Sequence, residues 1–230
     1  MNGKEEWAMK RIQGRKAILC IETVMMLICV LCLTGCSETE LEERCFPLLT
    51  AAGYEDGKVS FAAAFPRSGA SGQQNSTTEE IKTSGVKARD FQKAVKEYES
   101  HLNKQVDYNH LKVLVLEEDL LQEKDAFNQM LDYLAENEYF PRNTYVCAVD
   151  DVEDLFKIEE KLSQDLGTYL EEYISKHEEG KSHILTLGDL LDEKENQTLI
   201  LYMPYLDIED DYIEWKGYVN ILGEIWQESF

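Results

Sequence analysis

The chain has 230 residues, 43% of them hydrophobic, and carries 45 Asp and Glu against 23 Lys and Arg, a net charge of −22. That balance excludes nucleic acid as a partner, because binding a polyphosphate needs clustered Lys and Arg rather than an excess of carboxylates. It also sets the folded body against an anionic lipid surface, while length and apolar content suffice for one buried core.

Lys4, Lys10, Arg11, Arg15 and Lys16 form a basic leader, and a mostly apolar run follows from Ala17 to Leu33. This is the pattern of an export signal. The run closes on Leu33-Thr34-Gly35-Cys36, which resembles the bacterial lipobox. That resemblance implies that residues 1–35 are a lipoprotein signal peptide and that the Cys36 thiol is acylated and becomes the new N-terminus. The competing reading is a retained transmembrane helix. Glu22 argues against it, because only the eleven residues Thr23 to Leu33 run uninterrupted, whereas a span needs about 20. Acyl chains contribute about 0.8 kcal/mol per buried methylene, so more than one chain holds a protein stably on a bilayer. Removing the leader takes away five Lys and Arg and three Asp and Glu and moves the balance from −22 to −24. The body is therefore expected to stand off the membrane, held by its lipid alone.

Residues 36–45 are expected to form the lipidated N-terminus and a short polar stalk, and residues 46–230 a single domain. Cys20, Cys29 and Cys32 leave with the leader and Cys36 carries lipid, so Cys45 and Cys147 remain. Both stand in apolar, strand-like contexts, where a free buried cysteine behaves as a small hydrophobe; outside the membrane a disulfide between them is the other reading.

Phe46 to Ala52 and Lys58 to Phe65 are predicted strands, joined by Tyr54-Glu55-Asp56-Gly57. The Asp-Gly pair suits a type I′ hairpin, which needs positive φ at both central residues. Residues 67–87 collect Ser, Gly, Gln, Asn and Thr and predict a flexible loop. Phe91, Ala94, Val95, Tyr98 and Leu102 recur at helical spacing within Ala88 to Leu102, so one face of that helix lies on a core. Leu111 to Leu116 is β-branched and almost wholly apolar, the pattern of a central strand covered on both faces. A helix from Glu118 to Ala135 and a strand from Thr144 to Val149 follow, an order that implies a crossover and parallel pairing. Val152 to Leu162 and Leu166 to His177 are predicted helices, the first opened by Asp150, Asp151, Glu153 and Asp154, whose carboxylates favour the positive end of the helix dipole. Thr186 is a predicted N-cap for Leu187 to Glu193. A strand from Leu199 to Met203 is expected to stop at Pro204, and Glu214 to Leu222 is expected to be the last strand. The fold class is α/β or α+β, a mixed sheet with flanking helices and an N-terminal hairpin.

Candidate chemistry is sparse. His101, His110, His177 and His183 are scattered, without an H-E-x-x-H pair or a Cys/His spacing suited to zinc. The sequence contains no nucleophile elbow, Walker loop or G-x-G-x-x-G. His110 stands at the start of the Leu111 to Leu116 strand and is expected to pack at the strand end. Asp207, Glu209, Asp210 and Asp211 lack the glycine and terminal glutamate of an EF-hand loop and suggest a solvated turn. No catalytic residue, metal ligand or cofactor is assigned.

The order of segments resembles the N-terminal domain of the Ger(x)C family, the lipoprotein C subunits of spore germinant receptors. The carriers are Leu33-Thr34-Gly35-Cys36, the acidic stretch Glu40 to Arg44, the strand Phe46 to Gly53, the turn Asp56-Gly57 and the strand Val59 to Pro66. They continue with the helix Phe91 to Leu102, His110-Leu111-Lys112-Val113, the helix Asp119 to Leu134 and Arg142-Asn143-Thr144-Tyr145-Val146. The resemblance runs from Cys36 to about Asn220, with Trp215-Lys216-Gly217-Tyr218-Val219 as the closing strand, in a diverged or shortened form. It implies a non-catalytic subunit on the outer face of the spore inner membrane, anchored by acylated Cys36 and working beside integral membrane subunits. The alternatives are a stand-alone extracytoplasmic lipoprotein that binds a solute or envelope component, and a hydrolase without a recognisable nucleophile motif.

Overall fold

The computed structural model describes residues 24–26, 43–67, 85–177, 186–196, 202–209, 212–220 and 225–226. The chain divides into two compact units, Met1–Leu41 and Glu42–Phe230. Of the first, Val24, Met25 and Met26 are described, helical and exposed. The rest of the predicted leader, Cys36, His183 and residues 68–84 of the predicted loop lie outside the described residues. Among those described, no helix is long and apolar enough to cross a membrane.

The second unit is built on an eight-stranded sheet. Strands β2 (Leu49–Glu55), β6 (Val113–Glu117), β7 (Tyr145–Val149) and β8 (Tyr202–Glu209) lie side by side and run parallel. Antiparallel strands extend both sides: β3 (Lys58–Ala64) and β4 (Val86–Ala88) beyond β2, and β9 (Tyr212–Asn220) and β10 (Ile225–Trp226) beyond β8. A separate parallel pair joins β1 (Arg44–Cys45) to β5 (Gln105–Val106). The fold class matches the mixed sheet with flanking helices expected from the sequence.

The parallel strands are buried on both faces, which is why they are apolar at successive positions rather than alternating. On β6, Leu114 and Leu116 enter one core while Val113 and Val115 enter the other. On β7, Val146 and Ala148 face the first core and Cys147 and Val149 the second. Helices α1 (Phe91–Ser100), α2 (Glu118–Gln122), α3 (Lys124–Glu136) and α6 (Leu187–Asn196) cover the first face, and α4 (Val152–Glu159) and α5 (Leu166–His177) the second. An aromatic knot closes the first core: Phe61 meets Phe91 and Tyr98 edge-on at ring distances of 5.6 and 5.3 Å, and Tyr108 stacks on Phe140 at 4.4 Å.

Local sequence sets the boundaries. Asp56 and Gly57 take φ of 51° and 76°, and the β2–β3 hairpin turns on them as a type I′ turn requires. Asp90 accepts from the Lys93 amide at 2.9 Å and Asp151 from the Glu153 amide at 2.6 Å, opening α1 and α4. Thr186 and Asp189 form a reciprocal cap on α6, with the Asp189 amide donating to Thr186 Oγ1 and the Thr186 amide to Asp189 Oδ2.

Several boundaries differ from expectation. The first hairpin strand starts at Leu49 rather than Phe46 and continues to Glu55, so its ladder reaches the turn. The helix expected from Glu118 to Ala135 is broken at Glu123, whose ψ of 82° lies outside helical values. Pro204 does not stop its strand. Pairing of β8 with β7 begins at Tyr205, so Pro204 faces only β9, where a missing N–H is tolerated. The strand expected to be last is β9, and β10 follows it. Val86 and Lys87, expected in the loop, belong to β4, and Arg44 and Cys45, expected in the stalk, form β1. Both strands are too short to show periodicity. Arg67 is also fixed, its amide donating to Asp165 Oδ1 at 2.6 Å and its guanidinium to the Leu162 carbonyl at 2.7 Å. Cys45 and Cys147 are free.

Gly167, in the first turn of α5, sits directly on the chain leading into β2: a Cβ there would lie 2.6 Å from the Leu48 carbonyl oxygen. Backbone on both sides leaves little room to relax. Gly167→Ala is expected to destabilise the protein by about 1–3 kcal/mol, the usual range for overpacking. Thermal unfolding followed by circular dichroism checks this, and an unchanged Tm would refute so close an approach.

Candidate functional site

Each of the first three parallel strands ends in a carboxylate: Glu55 closes β2, Glu117 closes β6, and Asp150 follows β7. After β2 the chain turns toward β3 and β4, whereas after β6 it moves the other way toward β7 and β8. Such a reversal opens a crevice at the carboxyl ends of parallel strands, the common ligand position in open α/β sheets. A cavity of about 810 Å³ lies there, bounded by the start of α4 and by β2, β3 and β4. Six carboxylates line it, those of Glu55, Glu117, Asp119, Asp150, Asp151 and Glu153, with Lys87 and Lys157 as the cations and Phe156 as apolar wall.

Glu117 is the most constrained of these acids. Its Oε1 accepts from the Val152 amide at 3.1 Å, satisfying a first-turn donor of α4 that the helix cannot satisfy itself. Its other oxygen lies over Gly53, where a Cβ would come within 1.6 Å of Oε2, so glycine leaves the space the carboxylate uses. Burial raises the Glu117 carboxyl above the ordinary value of 4.5, against the Val152 hydrogen bond, which lowers it, and with Asp151, Asp119 and Glu55 adding repulsion. The lysines are engaged at the rim: Lys87 pairs with Glu55, and Lys157 with Asp154 at 2.6 Å. The described lining holds no histidine or cysteine. Chemically, the crevice offers acceptors for a ligand that donates hydrogen bonds or carries positive charge.

Two other clusters lie apart from it. Lys216 on β9 pairs with Asp207 at 3.3 Å, Glu209 at 3.0 Å and Glu214 at 2.6 Å. The hydrogen bonds it donates to Glu214 and Glu209 raise its pKa, so it stays charged. A run of rings links α5 to β9: Tyr169 stacks on Tyr173 at 6.0 Å, Tyr173 meets His177 at 4.1 Å, and His177 stacks on Trp215 at 5.5 Å.

The residues singled out from sequence are dispersed. His110 ends a short helical turn, Tyr108–His110, and meets Phe46 edge-on at 5.0 Å, as expected of a ring packed at a strand end. His101 is exposed after α1. Asp207 and Glu209 lie within β8, not in a solvated turn, and both pair with Lys216 on the neighbouring strand; Asp210 and Asp211 lie outside the described residues. The acids at 150–154 do open a helix, but Asp150, Asp151 and Glu153 also line the crevice. Burial pushes the Cys45 thiol up to about 11 and the Cys147 thiol further, so both stay protonated at neutral pH. Among the described residues, no group of three His, Cys, Asp or Glu is arranged to hold a metal ion. Glu117 and Gly53 were missed, although an acid ending strand after strand is a signal visible in the sequence.

The family described as the spore germination protein N-terminal domain matches residues 37–208. Among curated proteins and among solved structures, none matches the chain.

Because the folded state holds a proton on Glu117 to higher pH than the unfolded chain does, stability attributable to this group falls as pH rises through the window above 4.5. Glu117→Gln keeps an acceptor for the Val152 amide and removes the charge. Its Tm should match the parent near the acid end of that window and exceed it at neutral pH. A Tm difference that does not grow between the two conditions would contradict the burial of this carboxylate.

Proposed function

The chain belongs to the family of the spore germination protein N-terminal domain, and from that premise we propose that it is a non-catalytic, lipid-anchored subunit, or relative of one, in a spore nutrient germinant receptor. Family membership ties it to germination. The finer assignment has four parts: residues 1–35 are a signal peptide, Cys36 carries the lipid, residues 46–230 form one domain, and integral membrane receptor subunits are the partners. The observation that carries the reading is the register of the match. It begins at residue 37, directly after the cysteine that a basic leader, an apolar run and Leu-Thr-Gly single out. An acyl anchor also accounts for how a processed chain with a net charge of −24 is kept on a bilayer, −22 for all 230 residues less the +2 of the leader.

A second reading is favoured by the crevice itself: a stand-alone extracytoplasmic lipoprotein that binds a solute or envelope component through the acidic lining. Purification from host membranes separates the two. Co-purification of a multi-span subunit supports the receptor, and recovery of the lipoprotein alone supports the stand-alone binder.

Cys36→Ala should abolish lipid labelling and move the protein from the membrane to the soluble fraction or leave it unprocessed. Labelling that persists in the variant rejects Cys36. Deletion of the protein in a spore-forming host should slow nutrient-triggered germination, and unchanged germination with every nutrient tested would remove the receptor assignment.

A further inference from the structure

At the crevice, α4 begins with a turn that is less firmly closed than those of α1, α3, α5 and α6. In these four the first main-chain bond measures 2.9–3.0 Å, from Ala94 to Asp90, Phe127 to Glu123, Tyr169 to Asp165 and Leu190 to Thr186. In α4 the Leu155 amide reaches the Asp151 carbonyl at 3.4 Å, outside the usual range of about 2.7–3.2 Å. Two side chains hold this turn instead. Asp151 accepts from the Glu153 amide at 2.6 Å, within the helix start itself, and Glu117 accepts from the Val152 amide at 3.1 Å. Since Glu117 closes β6, its carboxyl ties the turn to the sheet.

That tie is made by a group whose surroundings oppose its charge. Among the described residues, the acids around Glu117 are Glu55 from β2, Asp119 from α2, Asp150 after β7, and Asp151 and Glu153 at the start of α4. The two cations of the lining are engaged with other acids, Lys87 with Glu55 and Lys157 with Asp154. Burial disfavours the Glu117 carboxylate, the Val152 hydrogen bond offsets this in part, and Asp151, Asp119 and Glu55 add repulsion. A neutral carboxyl keeps a carbonyl oxygen for the Val152 amide and meets no repulsion. An ionised one gains by parting from the acids of the helix start, because the sheet side is closed: Glu117 Oε2 and Ser60 Oγ lie 1.6 and 2.7 Å from where a Gly53 Cβ would stand. We propose that the first turn of α4 is a proton-controlled latch on the crevice, seated on β6 while Glu117 is neutral and released as it ionises. Leu155 and Ile158, 0% and 1% exposed, anchor the rest of the helix, so release is a local opening of residues 150–154. By linkage, a carboxyl that keeps its proton longer in the seated form stabilises that form fully below the ordinary value of 4.5, and the contribution is lost as pH rises above it. Release lets Asp150, Asp151 and Glu153 spread and widens the mouth of the crevice. The latch is a property of the fold and stands under either reading of the function.

Amide hydrogen exchange of the full chain tests this, followed by NMR from pH 4.5 to neutrality and corrected for the intrinsic pH dependence of exchange. Protection of the Val152 and Glu153 amides should fall several-fold across that range while that of Ile158 stays constant. In Glu117→Gln, which keeps the acceptor and cannot ionise, the fall should vanish. Protection that is constant in the parent, that falls equally in the variant, or that falls equally at Ile158 overturns the latch. Should the variant melt below the parent, the parent alone decides. The carboxyl carbon shift of Glu117 should then titrate with the same midpoint as the Val152 protection, and separate midpoints overturn the proposal.

Discussion

Burial of four parallel strands on both faces is the constraint from which the rest of this structure follows. Parallel neighbours cannot be joined by tight turns, so each step from β2 to β6 to β7 to β8 needs a crossover. The crossovers supply the helices that exclude water from each face. Leu114 and Leu116 on one side and Val113 and Val115 on the other are fully buried, each such side chain contributing about 1.5–3 kcal/mol. The hairpin β2–β3 and the ribbon β8–β9 extend the sheet with antiparallel partners, which need only short connections. Gly167 stands where a covering helix comes too close to Leu48 for a side chain, and Gly53 where the Glu117 carboxylate of the neighbouring strand takes the space.

The same architecture places charge. Strands that end together bring their terminal residues together, so single acids at the ends of β2, β6 and β7 become a cluster at one pole. Glu117 shows how the fold accommodates this. Its carboxylate caps α4 through the Val152 amide while burial and neighbouring acids oppose its ionisation. At the other end of the strands the chain is clamped by Arg44 and Asp107. An acidic composition is thus gathered by strand register into one crevice.

Features that depend on a few adjacent residues were legible in the sequence. Asp56-Gly57 announced its turn, Thr186 its cap, and the unbroken Val and Leu of β6 its two-sided burial. Features that depend on a distant partner were not. Pro204 looks like a stop until β7 is seen to join the ladder only at Tyr205. Strands of two or three residues, such as β1, β4 and β5, exist because another segment offers its edge. The Lys216 cluster and the crevice are equally products of register, since Asp207, Glu209 and Glu214 meet one lysine only when β8 and β9 are aligned.

The β1–β5 pair carries a mechanical consequence. It is two residues long, separate from the main sheet, and the first paired strand of the second unit among the described residues. Force applied through the N-terminal side of the chain would load this patch and the Arg44–Asp107 clamp before any strand of the core. It would serve as a fuse: peeling β1 away would release a few residues and relieve tension while the hydrophobic layers keep their shape.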